Sequence, residues 1–225
     1  LALFLLSPIA YSFDNLQIHL NSPIDKTGPK NECIDNICTS LLNLIENAQS
    51  SIDFAVYGLR GQPQILDALI RAEKRGVFIR GIIDKTVDGK SYYTDTYLLE
   101  KELNNIKSDH QADLKTKRYL ERKNVKDNSE CERPNFTDGP LQCFEGKGYA
   151  SKEKIFFTGD IMHNKFFVVD KRFIWTGSAN LSDTGTGGYN ANIVAELDSV
   201  YFAAFYIQEF EQMYVLGNHH RQKKQ

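Results

Sequence analysis

Two helix-then-strand units follow one another between Ile37 and Asp84, and this repetition limits the folds open to the chain more than any other feature. From Ile37 the apolar positions Leu41, Leu44, Ile45 and Ala48 recur at helical spacing. Ser50-Ser51 closes that helix, and Ile52-Asp-Phe-Ala-Val-Tyr57 is rich in strand formers. The second unit places Ile65, Leu66, Leu69 and Ala72 on one face between Gln64 and Arg75, puts Gly76 at the stop position, and continues into a buried strand from Val77 to Asp84. Helices alternating with strands predict an α/β fold, a mixed β-sheet sandwiched between helices. With 225 residues, 41% of them hydrophobic, the chain can bury one sizeable core, which excludes disorder, collagen and coiled coil.

Further elements are expected on both sides of these units. Residues 16 to 24 alternate well enough for a first strand, in which His19 is an ordinary member. From about 86 to 158 the pattern weakens into an elaborated insertion, with one helix from Thr96 to Asn104. Its basic run, Lys115, Lys117, Arg118, Arg122 and Lys123, either lines a polyanion groove or forms a solvated helix face. Lys165 to Asp170 and Arg172 to Gly177 read as two strands joined at Asp170-Lys171, with Ser178 as N-cap of a short helix. Ala191 to Leu197 is another strand. Val200 to Val215 is an amphipathic helix with Phe202, Phe205, Tyr206, Phe210 and Met213 inward, a core stripe rather than a cofactor box.

The apolar start, Leu1 to Ala10, reads as the remnant of a signal h-region over residues 1–12 with cleavage after Ser12, the alternative being a buried first strand. The run is too short to span a bilayer unaided. An exported chain would carry its four cysteines as local disulfides, Cys33 with Cys38 and Cys131 with Cys143; free thiols or a zinc site are the other readings. Zinc is disfavoured because neither spacing is C-x2-C and His110 is the only histidine between the pairs. A net charge of −2 removes any bulk electrostatic argument for nucleic acid or anionic membrane, so a basic surface must be local.

The chemistry concentrates between His163 and Asn180. On a strand His163 and Lys165 point to the same face, where an imidazole and an ammonium can address one ligand. Asp170, at odd spacing, faces elsewhere and is expected to anchor the hairpin. Ser178 and Asn180 add neutral hydrogen-bonding groups beside free N–H donors, so the set describes a phosphate site. The pattern H-x-K-x4-D-x6-G-S-x-N fixes residue types too specifically for a chance match in one chain.

This pattern resembles the signature of the phospholipase D superfamily, and most closely its compact nucleases. Ala48, Ser51-Ile52, Tyr57 and Arg75-Gly76-Val77 extend the likeness over nearly the whole chain. The resemblance implies a phospholipase D-like domain over 13–225, in which His163, Lys165 and Asp170 form the catalytic signature. His163 would attack phosphorus to give a phosphohistidine, Lys165 and Asn180 would hold the phosphoryl oxygens, Ser178 would support them, and Gly177 would supply a tight turn. It also implies chemistry that needs neither metal nor cofactor. A phosphodiester repels hydroxide, and a cationic clamp with a neutral imidazole nucleophile overcomes that.

Two displacements at phosphorus need two histidines, and none of His19, His110, His219 or His220 lies in a second copy of the motif. The resemblance supplies the second from a homodimer partner or from missing sequence; the homodimer is favoured. One departure stands out. The compact nucleases orient the nucleophile with a Glu just before an Asn, whereas this chain reads Tyr189-Asn190-Ala191-Asn192, leaving Asn190 or Asn192 to orient His163 and Glu196 too far along the strand. The leading expectation is an exported endonuclease acting on DNA or RNA, with Arg60 and the basic run as backbone contacts. The alternatives are a phospholipase D acting on phosphatidyl headgroups and an inactive nucleic-acid-binding half of a two-motif protein.

Overall fold

The computed structural model describes residues 15–21, 28–85, 89–110 and 161–217. Outside them lie the signal-like start at 1–12, the basic run from Lys115 to Lys123, Cys131, Cys143 and the last eight residues. The elements are, in chain order, β1 (Leu16–Asn21), α1 (Asn36–Asn47), β2 (Ser51–Val56), β3 (Leu59–Arg60), α2 (Pro63–Lys74), β4 (Phe78–Ile83), α3 (Thr96–Glu102), β5 (Ile106–Ser108), β6 (Lys165–Val169), β7 (Phe173–Gly177), β8 (Leu181–Ser182), β9 (Asn192–Asp198) and α4 (Val200–Tyr214). The expected first strand is present as Leu16–Asn21, and the rest of its expected span lies outside the described residues.

Seven strands form one mixed sheet in the order β1-β9-β7-β6-β2-β4-β5, and β3 pairs with β8 separately. The two helix-then-strand units make β2 and β4 parallel, as a crossover helix requires. β5 joins β4 in parallel, so part of the stretch expected as an insertion belongs to the main sheet. From β6 onward the pairing is antiparallel. Strands β2 and β6 are buried on both faces, which explains their unbroken apolar runs.

Alternation along these strands divides the core in two. Ile52, Phe54, Val56, Phe167, Val169 and Trp175 pack with the apolar stripes of α1 and α2, and the Trp175 indole donates to Ser40 Oγ at 3.0 Å. Ala55, Ile82, Phe166, Val168 and Ile174 pack with α4. The Arg80 guanidinium joins α4 to the sheet, 2.7 Å from Asp53 Oδ1 and 2.7 Å from Glu211 Oε1. Phe210 and Met213 of α4 point inward, but Phe205 does not: it is 53% exposed and meets Tyr201 edge-on at 5.1 Å. A helix buries one stripe, and the adjacent aromatic pairs 201/202 and 205/206 cannot both turn fully to the sheet.

Two local expectations near residue 178 are corrected. No helix follows Ser178; the chain enters β8 and a run of turns through Gly188. Glycine and small polar residues from Ser182 to Gly188 favour turns over helix, and Lys30 N–H to Asp183 O, at 3.1 Å, fastens that run to the segment before α1. Gly177 is the last residue of β7 rather than a turn residue. A Cβ there would lie 2.1 Å from Ile193 O, so glycine is needed for the close approach of β9.

Candidate active site

The pairing of the strands brings six of their ends to one edge of the sheet. Because β2, β4 and β5 run parallel and β6, β7 and β9 alternate in direction, the C-terminal ends of β2, β4, β5 and β7 lie beside the N-terminal ends of β6 and β9. Tyr57, Asp84, Asp109, His163, Lys165, Ser178 and Asn192 therefore stand at a common edge. The carboxyl ends of parallel strands are where open α/β sheets bind ligands.

His163 precedes β6 and Lys165 is its first residue. The His163 side of the chain is exposed, while Lys165 is buried, with its Nζ donating to His163 O at 3.0 Å. Partial desolvation pushes the His163 pKa below its ordinary value, and the Lys165 charge pushes it the same way. The imidazole is thus neutral at pH 7 and can act as a nucleophile. Burial brings the Lys165 pKa down to about 8, against the opposing pull of Asp84, so the ammonium is charged at neutral pH but close to its limit.

Asp84 and Asp109 were not recognised among the site residues from sequence. Both carboxylates are buried, and each caps a backbone N–H: Asp84 Oδ1 accepts from Met162 N at 2.7 Å, and Asp109 Oδ1 accepts from Lys85 N at 2.7 Å. Asp84 thereby holds the residue next to His163 and supplies negative charge near Lys165. An acid directly after the apolar run Ile82-Ile83 was the available signal, since it falls at the carboxyl end of a parallel strand.

Ser178 Oγ donates to Asn192 Oδ1 at 2.9 Å and accepts from Ile193 N at 3.0 Å. Asn192 therefore positions Ser178 instead of His163. Asn190 is exposed, and its backbone N–H donates to Thr184 O at 2.8 Å. Glu196 lies farther along β9, 3.2 Å from His19. Asn180 Oδ1 is buried with no hydrogen-bond partner among the described residues. An unmet buried acceptor costs roughly 1–3 kcal/mol.

Asp170 is not brought to this edge. It sits at the opposite end of β6, roughly 20 Å from His163 by the rise of an extended chain. Asp170 and Lys171 both take positive φ, 52° and 55°, in the connection of three residues between the paired Val169 and Phe173. The Asp170 carboxylate accepts from Ser50 N at 2.7 Å, Ser50 Oγ at 2.8 Å, Gln49 N at 3.0 Å and Ser51 N at 3.0 Å. Its place is that of an anchor between the hairpin and the α1–β2 turn, away from the His163 edge. Arg60 is paired to Asp183 at 2.6 Å and lies over the Tyr93 ring. The sulfurs of Cys33 and Cys38 lie at disulfide distance, between the segment before α1 and the first turn of that helix.

A family model described as "Cardiolipin synthase, PLD-like domain" matches residues 41–214. The chain belongs to the phospholipase D superfamily. Compared with curated proteins, the sequence has no match. Among solved structures, NucT from Helicobacter pylori is similar at 15% identity and a TM-score of 0.53, over 88% of this chain and 96% of that one. Nuc from Salmonella typhimurium, a phospholipase D family member, is 20% identical with a TM-score of 0.45, over 88% and 91%. Phosphatidylserine synthase from Haemophilus influenzae is 8% identical with a TM-score of 0.43, over 88% of this chain and 39% of that one. The phospholipase D-like fold, a mixed sheet between helices, is thus shared with NucT at low identity. Among the described residues no helix is long and apolar enough to cross a membrane.

Proposed function

We propose that this phospholipase D superfamily member is a metal-independent phosphodiesterase, an exported endonuclease that hydrolyses DNA or RNA through a phosphohistidine. The observation that carries it is the pairing of a neutral, exposed imidazole at His163 with the buried ammonium of Lys165 at one sheet edge. His163 attacks phosphorus as the bond to the leaving oxygen breaks. A second histidine gives that oxygen its proton, then takes a proton from the water that cleaves the phosphorus–nitrogen bond. Lys165 and the Asn180 amide stabilise the charge on the non-bridging oxygens throughout.

The second histidine is His163 of another copy, with the reaction centre between two chains. Asp84 supports the Lys165 ammonium at this edge.

The test is cleavage of single-stranded DNA, RNA and phosphatidylcholine in excess EDTA, beside His163→Ala. Nucleic-acid cleavage that disappears in the variant, together with a dimer by sedimentation, is the expected result. Unchanged activity in His163→Ala refutes the nucleophile, and turnover of the lipid alone assigns a phospholipase.

A further inference from the structure

Three tyrosines form one cluster that reaches the His163 ring through Tyr57. Tyr57, directly after β2, stands edge-on to His163 with ring centroids 5.2 Å apart and edge-on to Tyr93 at 5.4 Å. Tyr92 lies 5.7 Å from Tyr57 and 5.3 Å from Tyr93. An aromatic cluster that served only the core would be buried throughout. Here burial is graded: Tyr93 is buried, Tyr57 is half-buried, Tyr92 is 38% exposed, and His163 is open.

The segment that carries Tyr92 and Tyr93 is fastened in place. Asp95 N donates to Leu59 O at 3.1 Å, Gly61 N donates to Asp95 Oδ2 at 2.6 Å, and Leu59 N donates to Thr96 Oγ1 at 3.0 Å. Gly58 has φ 156°, and a Cβ there would lie 2.5 Å from Thr96 Oγ1 and 3.4 Å from Tyr93 Cβ. Only glycine lets the tyrosine segment close against the end of β2, so the rings are pre-organised.

We propose that Tyr57 and Tyr92 form a stacking platform for an unpaired nucleobase next to the phosphate held at His163 and Lys165, which makes single strands the preferred substrate. The platform rests on the endonuclease reading above and names its substrate class. Every base has a π-face, so stacking on tyrosine binds single strands with little regard to sequence. A duplex keeps its bases paired, and delivering one to the rings costs unstacking. Burial, and then Asp84, hold the Tyr57 hydroxyl protonated, so no phenolate opposes the phosphate.

A quaternary ammonium is the other ligand that tyrosines attract. The charges present disfavour it: Arg60 already lies 5.0 Å over the Tyr93 ring, and Lys165 adds a second cation at the same edge.

The test uses the full chain in EDTA with a fluorescein-labelled single-stranded DNA oligonucleotide and its duplex. Tyr92→Ala, which truncates an exposed ring, is expected to raise KM and the anisotropy Kd for the single strand about 5- to 100-fold. kcat should stay within about twofold, the signature of lost binding common to ground and transition states. Tyr92→Phe keeps the π-face and should restore the wild-type KM. An abasic residue next to the cleaved phosphate should impose the same loss on the wild type and add nothing in Tyr92→Ala.

A wild-type KM in Tyr92→Ala, or a wild type that cleaves the duplex as readily as the single strand, overturns the platform and leaves the nuclease standing. Competition by phosphocholine that vanishes in Tyr92→Ala assigns the rings to an ammonium and also overturns it. A wild type that neither binds nor cleaves either nucleic acid overturns the endonuclease and the platform together.

Discussion

The Lys165 ammonium donates to the main-chain carbonyl of His163 at 3.0 Å, so the cation and the imidazole-bearing residue are tied within a single two-residue arc. The bond aims the Lys165 head at the sheet edge from a buried stem, and burial sets both groups' protonation: each is pushed toward its neutral form.

The alkaline side of the pH profile should carry the mark of this burial. Lys165 titrates at about 8 in the free protein, so kcat/KM for a phosphodiester should fall as pH rises through about 8. Lys165→Arg, which stays charged at every accessible pH, should lose activity overall because its planar head does not fit the same site. Whatever activity it retains should lack the limb near 8. A pH series on both proteins checks this.

His163 and Lys165 are coupled, and the coupling has a sign. The Lys165 charge lowers the His163 pKa, so Lys165→Met should raise it toward the ordinary histidine value while desolvation keeps it from rising fully. Titration of the His163 ring by carbon-detected NMR reads the change directly. A His163 pKa that falls in Lys165→Met contradicts the arrangement.

Asp84→Asn separates charge from scaffold. The amide oxygen can still accept the Met162 N–H, so the fold is retained, but the negative charge that supports Lys165 is gone. The limb near pH 8 should move to lower pH, because burial then acts on the ammonium without the opposing pull of Asp84. Activity should therefore fall more at pH 8 than at pH 7, following the charged fraction of Lys165. A purely structural role would lower the melting temperature and leave the limb where it is.

Asp170→Asn should act on stability and leave the chemistry alone. Partial burial pushes the Asp170 carboxyl up, but the hydrogen bonds from Gln49, Ser51 and Ser50 outweigh it and hold the pKa below the ordinary value. A depressed folded pKa adds stability that is present above the ordinary carboxylate range and is lost as pH falls through the folded value. After allowance for solvent screening, the variant should lose about 1–2 kcal/mol at pH 7. The gap to wild type should close in acid. Urea unfolding at pH 7 and pH 3, beside kcat at pH 7, tests both halves.

The motif was legible because it is local. His163, Lys165, Ser178 and Asn180 fall within the β6–β7 hairpin and the residues that flank it, and alternation within a strand is a property of neighbouring residues. The helix-then-strand units were legible for the same reason, since 3.6-residue and two-residue periods can be counted along the chain. Local pattern also misled: Ser178 has the composition of a helix cap, yet β9 pairs with β7 and takes its hydroxyl, and Asn192 accepts from Ser178.

Sequence by itself determined the α/β class, the chemistry of an imidazole beside an ammonium, and the separate position of Asp170. Tertiary structure alone decided which other groups share that edge. Asp84 and Asp109 reach it because β4 and β5 run parallel to β2, Tyr57 meets His163 because β6 runs antiparallel to β2, and Tyr92 meets Tyr57 because the segment before α3 closes over Gly58. The β2–β6 pairing sets Ala55 opposite Phe166, residues far apart in the chain. Its register follows from burying two faces of one sheet at once, a condition that no short stretch of sequence expresses.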